Sequence, residues 1–302
     1  LKSIAIAGSS GMVGQALCEA LLENGWQVFA LVRPETDSKS NIETVAWEPG
    51  EGDLDPEKLD GLDAVVHLGG ANIADGRWTE ARKALIRDSR VLSTKLLSEA
   101  MAACKNPPSC FVCASAVGFY GDCGDVEVTE DHPGGEGFLA EVARDWEAAC
   151  QPAKDAGIRV VHARLAMVLA KAGGALAKMI PPFKLGLGGT MGSGAQYMGW
   201  VSIEDAVNGI RFCLENEGLF GPANICAPNP VTNKEFTKLL GKQLGRPTIL
   251  QIPKPAARIT MGEMADEMLF ASCRAIPSAL LRAGYDFSHP TLEKAFASLL
   301  TR

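Results

Sequence analysis

Apolar stretches of strand length alternate with helix-periodic segments along the first half of the chain. Residues 3–8, "SIAIAG", carry few polar side chains, as a parallel strand covered on both faces requires. Met12, Val13, Ala16, Leu17, Ala20 and Leu21 then recur at the spacing of one helical face, and Gly25 stands where such a helix stops. The pattern repeats. Strands are predicted at 26–33, 43–47 and 63–70, and a long helix at 80–104 before the Pro107-Pro108 break. A strand at 110–115, a helix at 138–156 and a strand at 159–169 complete the series. This alternation predicts a Rossmann-type α/β fold: a doubly wound parallel sheet with right-handed crossovers.

After about residue 170 the rhythm changes. "GGALAKMIPPFKLGLGGTMGSGAQ" is rich in glycine and poor in charge, a loop-and-short-helix region able to lie over a ligand. A helix at 202–216 is expected to return to the first unit, followed by a short strand at 221–226. Thr232, before Asn233 and Glu235, offers the cap of a helix at 232–245. Leu292, Phe296 and Leu299 give the tail an apolar edge that should dock on the body. The expected division is a dinucleotide-binding unit over 1–170 and a smaller substrate region over 171–302, its tail starting near 250.

Composition narrows the classes. The chain has 302 residues, 47% of them hydrophobic and 22% charged, so it can bury a large core. Its net charge of -7, with no basic cluster, argues against nucleic acid as a partner. The longest uncharged stretch, 185–203, is broken by six glycines and does not read as a membrane span. Nine cysteines follow no pairing rhythm. Cys110 and Cys113 are three apart on a predicted strand and so point to opposite faces; no metal site is expected from them. The expected location is cytoplasmic, although a leucine at position 1 leaves room for a removed targeting segment upstream.

The chemistry begins at the first strand-to-helix junction. Gly8, Gly11 and Gly14 form G-x-x-G-x-x-G there. Gly8 permits the tight turn, Gly11 lets the backbone approach a pyrophosphate, and Gly14 lets helix and strand pack closely. The helix then offers unpaired N–H groups and its positive dipole end to phosphate. At the end of the second strand, an acidic residue would favour the ribose hydroxyl of NAD, whereas arginine matches the 2′-phosphate of NADP. The chain has Val32-Arg33 there, with Glu35 and Asp37 only further on. NADP(H) is the expected cofactor.

Together with "DAVVHLGG" and "SAVGFYG", the glycine loop resembles the short-chain dehydrogenase/reductase superfamily, in its extended, nucleoside-diphosphate-sugar epimerase-like branch. "RWTEARKALIRDSR", "GGALAKMIPPFKLGLGGTMGSGAQYMGWVSIEDA" and the tail from "IPKPAARITMGEM" onward look more narrowly like the atypical epimerase family, some of whose members carry a cell-division-inhibitor label. That resemblance implies cofactor contacts from Gly8, Ser9, Ser10, Gly11, Met12, Val13 and Gly14, and from Val32 and Arg33. It also implies Leu68 and Gly69 after the fourth strand, Arg90 in the following helix, and Val168. Superfamily relatives are often dimers, so a homodimer is compatible with it.

Active members of the superfamily use a serine, a tyrosine and a lysine four residues after the tyrosine; the lysine favours the phenolate that exchanges a proton while hydride moves. Ser115, ending the fifth strand, stands where the serine is expected. Extended members often carry an acidic residue eight positions after the tyrosine. If Glu147 fills it, Leu139 takes the tyrosine position and Ala143 the lysine position; a shift by one gives Phe138 and Val142. Neither register supplies a proton-transfer group.

Tyr120 is the candidate substitute, set against a turn-and-packing role. Glu130, Asp131 and His132 lie in a loop able to cover the site, while His67 and His162 read as packed strand residues. Gln196 and Trp200, among glycines, suit contact with a polar ring-shaped substrate. Arg164 is expected to hold an anion, or to bridge to Glu204 or Asp205. Two functions follow. One is an NADP(H)-dependent oxidoreductase or epimerase-like enzyme acting on a small polar, nucleotide-linked substrate. The other is a non-catalytic NADP(H)-binding regulator, for example in cell division.

Overall fold

Seven parallel strands form the central sheet of the computed structural model, which describes residues 1–34 and 42–300. They are β1 (Ser3–Ala7), β2 (Gln27–Val32), β3 (Glu43–Ala46), β4 (Ala64–His67), β5 (Cys110–Ala116), β6 (Arg159–Leu165) and β7 (Gly221–Ile225). Their spatial order is 3-2-1-4-5-6-7, so the order reverses between β1 and β4 and opens a crevice at their carboxyl ends. The helices that matter for the site are α1 (Met12–Glu23), α2 (Glu80–Ala103), α3 (Phe138–Ala148), α4 (Gly174–Lys184), α5 (Ile203–Glu215), α6 (Asn233–Leu244), α7 (Lys254–Met261) and α8 (Leu292–Leu300).

The period-two alternation of β1 builds two cores. Ile4 and Ile6 face α1 and α5, packing with Leu17, Leu21 and Ile210. Ala5 and Ala7 face the other way, into a cluster with Leu97 of α2 and Trp146 of α3. Cys110 lies in the first cluster and Cys113 in the second, as their spacing on one strand demands. The helix expected at 202–216 does pack back on the sheet.

Two elements differ from the sequence expectation. The helix predicted over 138–156 is two pieces, α3 and Gln151–Asp155, and Pro152 starts the second. The strand predicted over 159–169 leaves the sheet after Ala166, whose N–H still donates to the Ile225 carbonyl of β7 at 3.1 Å. Met167–Leu169 then leaves the sheet and pairs with Trp200–Ser202, carrying the chain into the smaller unit. There α4, α6 and α8 enclose Leu176, Phe183, Trp200, Phe236, Leu240 and Phe296. Thr232 caps α6 in a full capping box with Glu235. No helix among the described residues is long and apolar enough to cross a membrane.

Candidate functional site: the crevice at the glycine turn

The turn from β1 into α1 works only with glycine at two points. Gly8 has φ of +84°, and a Cβ there would lie 2.6 Å from the Gly69 nitrogen. A Cβ on Gly14 would lie 2.1 Å from the Gly8 carbonyl oxygen. Helix α1 therefore starts hard against the strand ends. Gly11 provides no side-chain cap and the first turn holds no acidic residue, so its positive end is left for an external anion. Ser10 and Gly11 are exposed beside it, and Met12 contacts the turn before α4, where a Gly173 Cβ would come within 3.2 Å of its sulfur.

The carried-over residues gather round this opening. Val32 is half-buried and Arg33 exposed at the end of β2; Glu35 and Asp37 lie outside the described residues. The Leu68 N–H donates to the Ala7 carbonyl at 2.8 Å, locking β4 to β1. The Gly69 N–H donates to His67 Nδ1 at 3.3 Å, and His67 Nε2 lies 2.8 Å from Ser93 Oγ. Burial, reinforced by the Arg90 charge, pushes His67 down to about 3. His67 is thus a neutral ring, protonated on Nε2 toward Ser93, and it positions the Gly69 turn.

Arg90 reaches the same turn from α2. Its Nη1 donates to the Ala71 and Ile86 carbonyls at 3.0 and 2.9 Å, and its guanidinium stacks 5.1 Å from the Trp146 ring centroid. Burial, helped by the neighbouring Arg82, pulls it down to about 10. It remains a cation at neutral pH, and no carboxylate among the described residues pairs with it. Val168, half-buried in Met167–Leu169, packs against the same core cluster as Val13 and Leu68.

Ser115 and Tyr120 belong to one buried network below this opening. Ser115 Oγ donates to Glu147 Oε1 at 2.7 Å. Arg164 grips the same carboxylate with Nε at 2.8 Å and Nη2 at 2.9 Å, and its Nη1 donates to the Tyr120 hydroxyl at 2.9 Å. Tyr120 donates in turn to Asn224 Oδ1 at 2.8 Å. The expectation that Arg164 bridges to Glu204 or Asp205 is corrected here: its partner is Glu147. Asp205 instead accepts from the Ser288 and His289 backbone. Burial pushes Tyr120 up to about 12 against the pull of Arg164, so its phenol stays protonated. Burial also pushes the Glu147 carboxyl up, but Arg164 and Ser115 outweigh it and hold the group below the usual carboxylate range.

This strand order and glycine turn match known proteins along the whole chain. The model of the NAD dependent epimerase/dehydratase family matches residues 4–226, and that of a domain of unknown function matches 252–299. The chain belongs to the NAD dependent epimerase/dehydratase family. An epimerase family protein of Mycobacterium bovis is 46% identical over 299 residues, 99% of this chain and 98% of the relative. One of Bacillus subtilis is 36% identical over 301 residues, covering 99% and 98%. The crystal structure of human epimerase family protein SDR39U1 (isoform 2) with NADPH superposes with a TM-score of 0.89 at 32% identity, covering 98% of each chain.

The entrance of α3 lies beside the same network. Its sequence, FLAEVARDWEA, holds neither tyrosine nor lysine. Phe138 and Leu139, the two candidate tyrosine positions, give their N–H groups to Glu267 Oε1 and Oε2 at 2.7 and 2.8 Å. Gly137, at φ +102°, leaves the space, since a Cβ there would lie 3.0 Å from that carboxylate. No local pattern in the sequence flags a contact between residues 128 and 129 positions apart.

The remaining candidates are placed as follows. Glu130 is buried, its Oε1 accepting from the Asn224 and Ala279 N–H groups, and Asp131 is exposed beside Arg282. His132 lies edge-on to Tyr120, with ring centroids 6.2 Å apart. His162 is buried without a hydrogen-bond partner among the described residues, and burial holds it near 4, so it too is neutral. Gln196 Nε2 donates to the Met191 and Leu269 carbonyls, joining the glycine-rich loop to the tail segment. Trp200 is fully buried with its Nε1 on the Asn229 carbonyl, which makes it a core residue of the smaller unit.

Proposed function

We propose that this family member binds NADP(H) in the crevice between β1 and β4 and acts as an oxidoreductase or epimerase-like enzyme on a small polar, nucleotide-linked substrate. One observation carries the reading: an uncapped helix mouth, cleared by Gly8 and Gly14, opens beside two cations, Arg33 and Arg90. The residues fit the cofactor. The α1 amides of Met12 and Val13 suit a pyrophosphate, and Arg33 suits the 2′-phosphate. The bound nicotinamide would supply hydride transfer.

What the chain supplies around that chemistry is orientation. His67 fixes the Gly69 turn, and the Ser115–Glu147–Arg164 cluster fixes the end of β5 against α3. Gln196 ties down the glycine-rich loop that covers a substrate. The lack of tyrosine and lysine in α3 favours a second reading, a non-catalytic NADP(H)-binding regulator.

Calorimetry with NADPH and NADH comes first, followed by ring absorbance at saturating NADPH with a panel of carbonyls and sugar nucleotides. NADPH bound at least about tenfold tighter than NADH, with turnover, supports the enzyme. NADPH bound without turnover supports the regulator. Indifference to both nucleotides overturns the reading.

A further inference from the structure

Four apolar side chains stand in water at one end of the smaller unit. Leu185 is 76% and Ile249 88% exposed, and Leu187 and Leu250 are exposed as well. They belong to two short segments, 184–189 and 246–250, each leaving the carboxyl end of a helix. The Leu187 N–H donates back to the Pro182 carbonyl of α4, and the Arg246 N–H to the Gly241 carbonyl of α6, both at 2.9 Å. The segments then enter Gly189–Met191 and Leu250–Ile252, which pair in parallel with Leu250 opposite Gly189. They therefore run side by side and form one tip. Phe183, just before the first segment, is buried in the core, whereas the leucines that follow it are left outside.

The charge around this tip has one sign. Residues 171–203 and 236–262 hold eight lysines and arginines and no acidic residue, in a chain whose net charge is -7. Lys254 and Arg258 are answered by Asp266. Lys184, Lys238, Lys242 and Arg246 are exposed and form no ion pair among the described residues. A lysine in the last turn of a helix complements its dipole, which accounts for Lys184 and Lys242 singly. It does not account for exposed leucine and isoleucine at the same place. Single apolar side chains on a surface are ordinary; four on adjoining loop ends, flanked by unanswered cations, are not. A stable protein interface engages roughly 20–30 residues a side, far more than two loop ends offer. A bilayer needs no such face: apolar side chains enter the acyl boundary while lysine and arginine meet phosphate headgroups.

We propose that this tip docks on a lipid bilayer carrying anionic headgroups. Leu185, Leu187, Ile249 and Leu250 enter the boundary between headgroups and acyl chains, and Lys184, Lys242 and Arg246 lie at the phosphates. Helix α4 links the tip to the crevice, since its first turn meets Met12 and its last residue is Lys184. Tip and crevice are at opposite ends of one helix, so docking leaves the crevice open. The proposal is independent of the cofactor reading.

Co-sedimentation of the full chain with vesicles tests it. Binding is expected to vesicles of phosphatidylcholine with about one-third phosphatidylglycerol, weakening as salt is raised, and not to phosphatidylcholine alone. Leu185→Ser with Ile249→Ser, and separately Lys242→Glu with Arg246→Glu, should each weaken binding at least about tenfold. All four side chains are exposed, so both double variants should melt with the wild type. Phe220→Ser removes an equally exposed apolar side chain at the entry to β7 and should bind vesicles as wild type does. The proposal is overturned if wild type stays in solution with the anionic vesicles, binds neutral ones equally well, or is matched by either double variant. Sedimentation equilibrium showing a dimer that Leu185→Ser with Ile249→Ser dissociates, without vesicle binding, overturns it in favour of a second copy of this chain.

Discussion

Glu147 and Arg164 meet side-on through two N–H···O contacts of 2.8 and 2.9 Å, with 12% and 4% of their side chains exposed. Replacing one member strands the other. Arg164→Met is expected to destabilise the protein by about 3–5 kcal/mol, because a buried carboxylate loses its counter-ion. Urea unfolding followed by circular dichroism checks this. A loss below about 1 kcal/mol would mean that Glu147 escapes to water.

The same carboxylate sets an acid limit. Its folded-state pKa lies below the ordinary 4.5, so its contribution is complete above that value and is lost as pH falls through the folded pKa. His67 and His162 act earlier. Both are depressed from 6.5, to about 3 and about 4, so the unfolded chain binds more protons than the folded one as soon as pH drops below about 6.5. Stability is expected to fall in two stages, first from about pH 6.5 downward through the histidines and again below about 4.5 through Glu147. Unfolding midpoints between pH 7.5 and 3.5 test it, and His162→Asn should flatten the first stage. A slope unchanged by that substitution would exclude His162.

Tyr120 holds its hydroxyl between Arg164 and Asn224. Tyr120→Phe leaves a buried acceptor and a buried donor short of one partner each, at a cost of about 1–3 kcal/mol. NADPH affinity is expected to stay within about twofold. Loss of a measured turnover with affinity and fold intact would instead make Tyr120 the proton-transfer group.

At the glycine turn, Gly14→Ala places a methyl group against the Gly8 carbonyl, and the backbone has to give way. Calorimetry should find NADPH binding weakened by at least about tenfold, with a destabilisation of about 1–3 kcal/mol. Arg33→Ala should weaken NADPH binding about tenfold and leave NADH nearly unchanged. Equal losses for both nucleotides would remove Arg33 from the 2′-phosphate.

The fold was readable in the sequence because its signals are local. The Ile4/Ala5/Ile6/Ala7 alternation, the Thr232 cap and the glycine spacing each act within a turn or two. The points that escaped depend on partners far away along the chain. Met167–Leu169 leaves the sheet to pair with Trp200–Ser202, and Arg164 meets Glu147 on α3. Trp200 and Gln196 sit among glycines that suggest an open loop, yet neighbours from the tail and the smaller unit engage their polar atoms.

The Glu267 contact at the start of α3 has a bearing on how this chain can be cut or recombined. Among the described residues, Glu267, in the region after residue 252, supplies the only side-chain acceptors of the Phe138 and Leu139 amides, and Gly137 leaves the space that receives them. A fragment ending before that region would leave a bare helix end facing the cleft, and a chimaera with a foreign tail would inherit a socket without its plug. The two segments matched by separate family models, residues 4–226 and 252–299, are at this spot one inheritable unit.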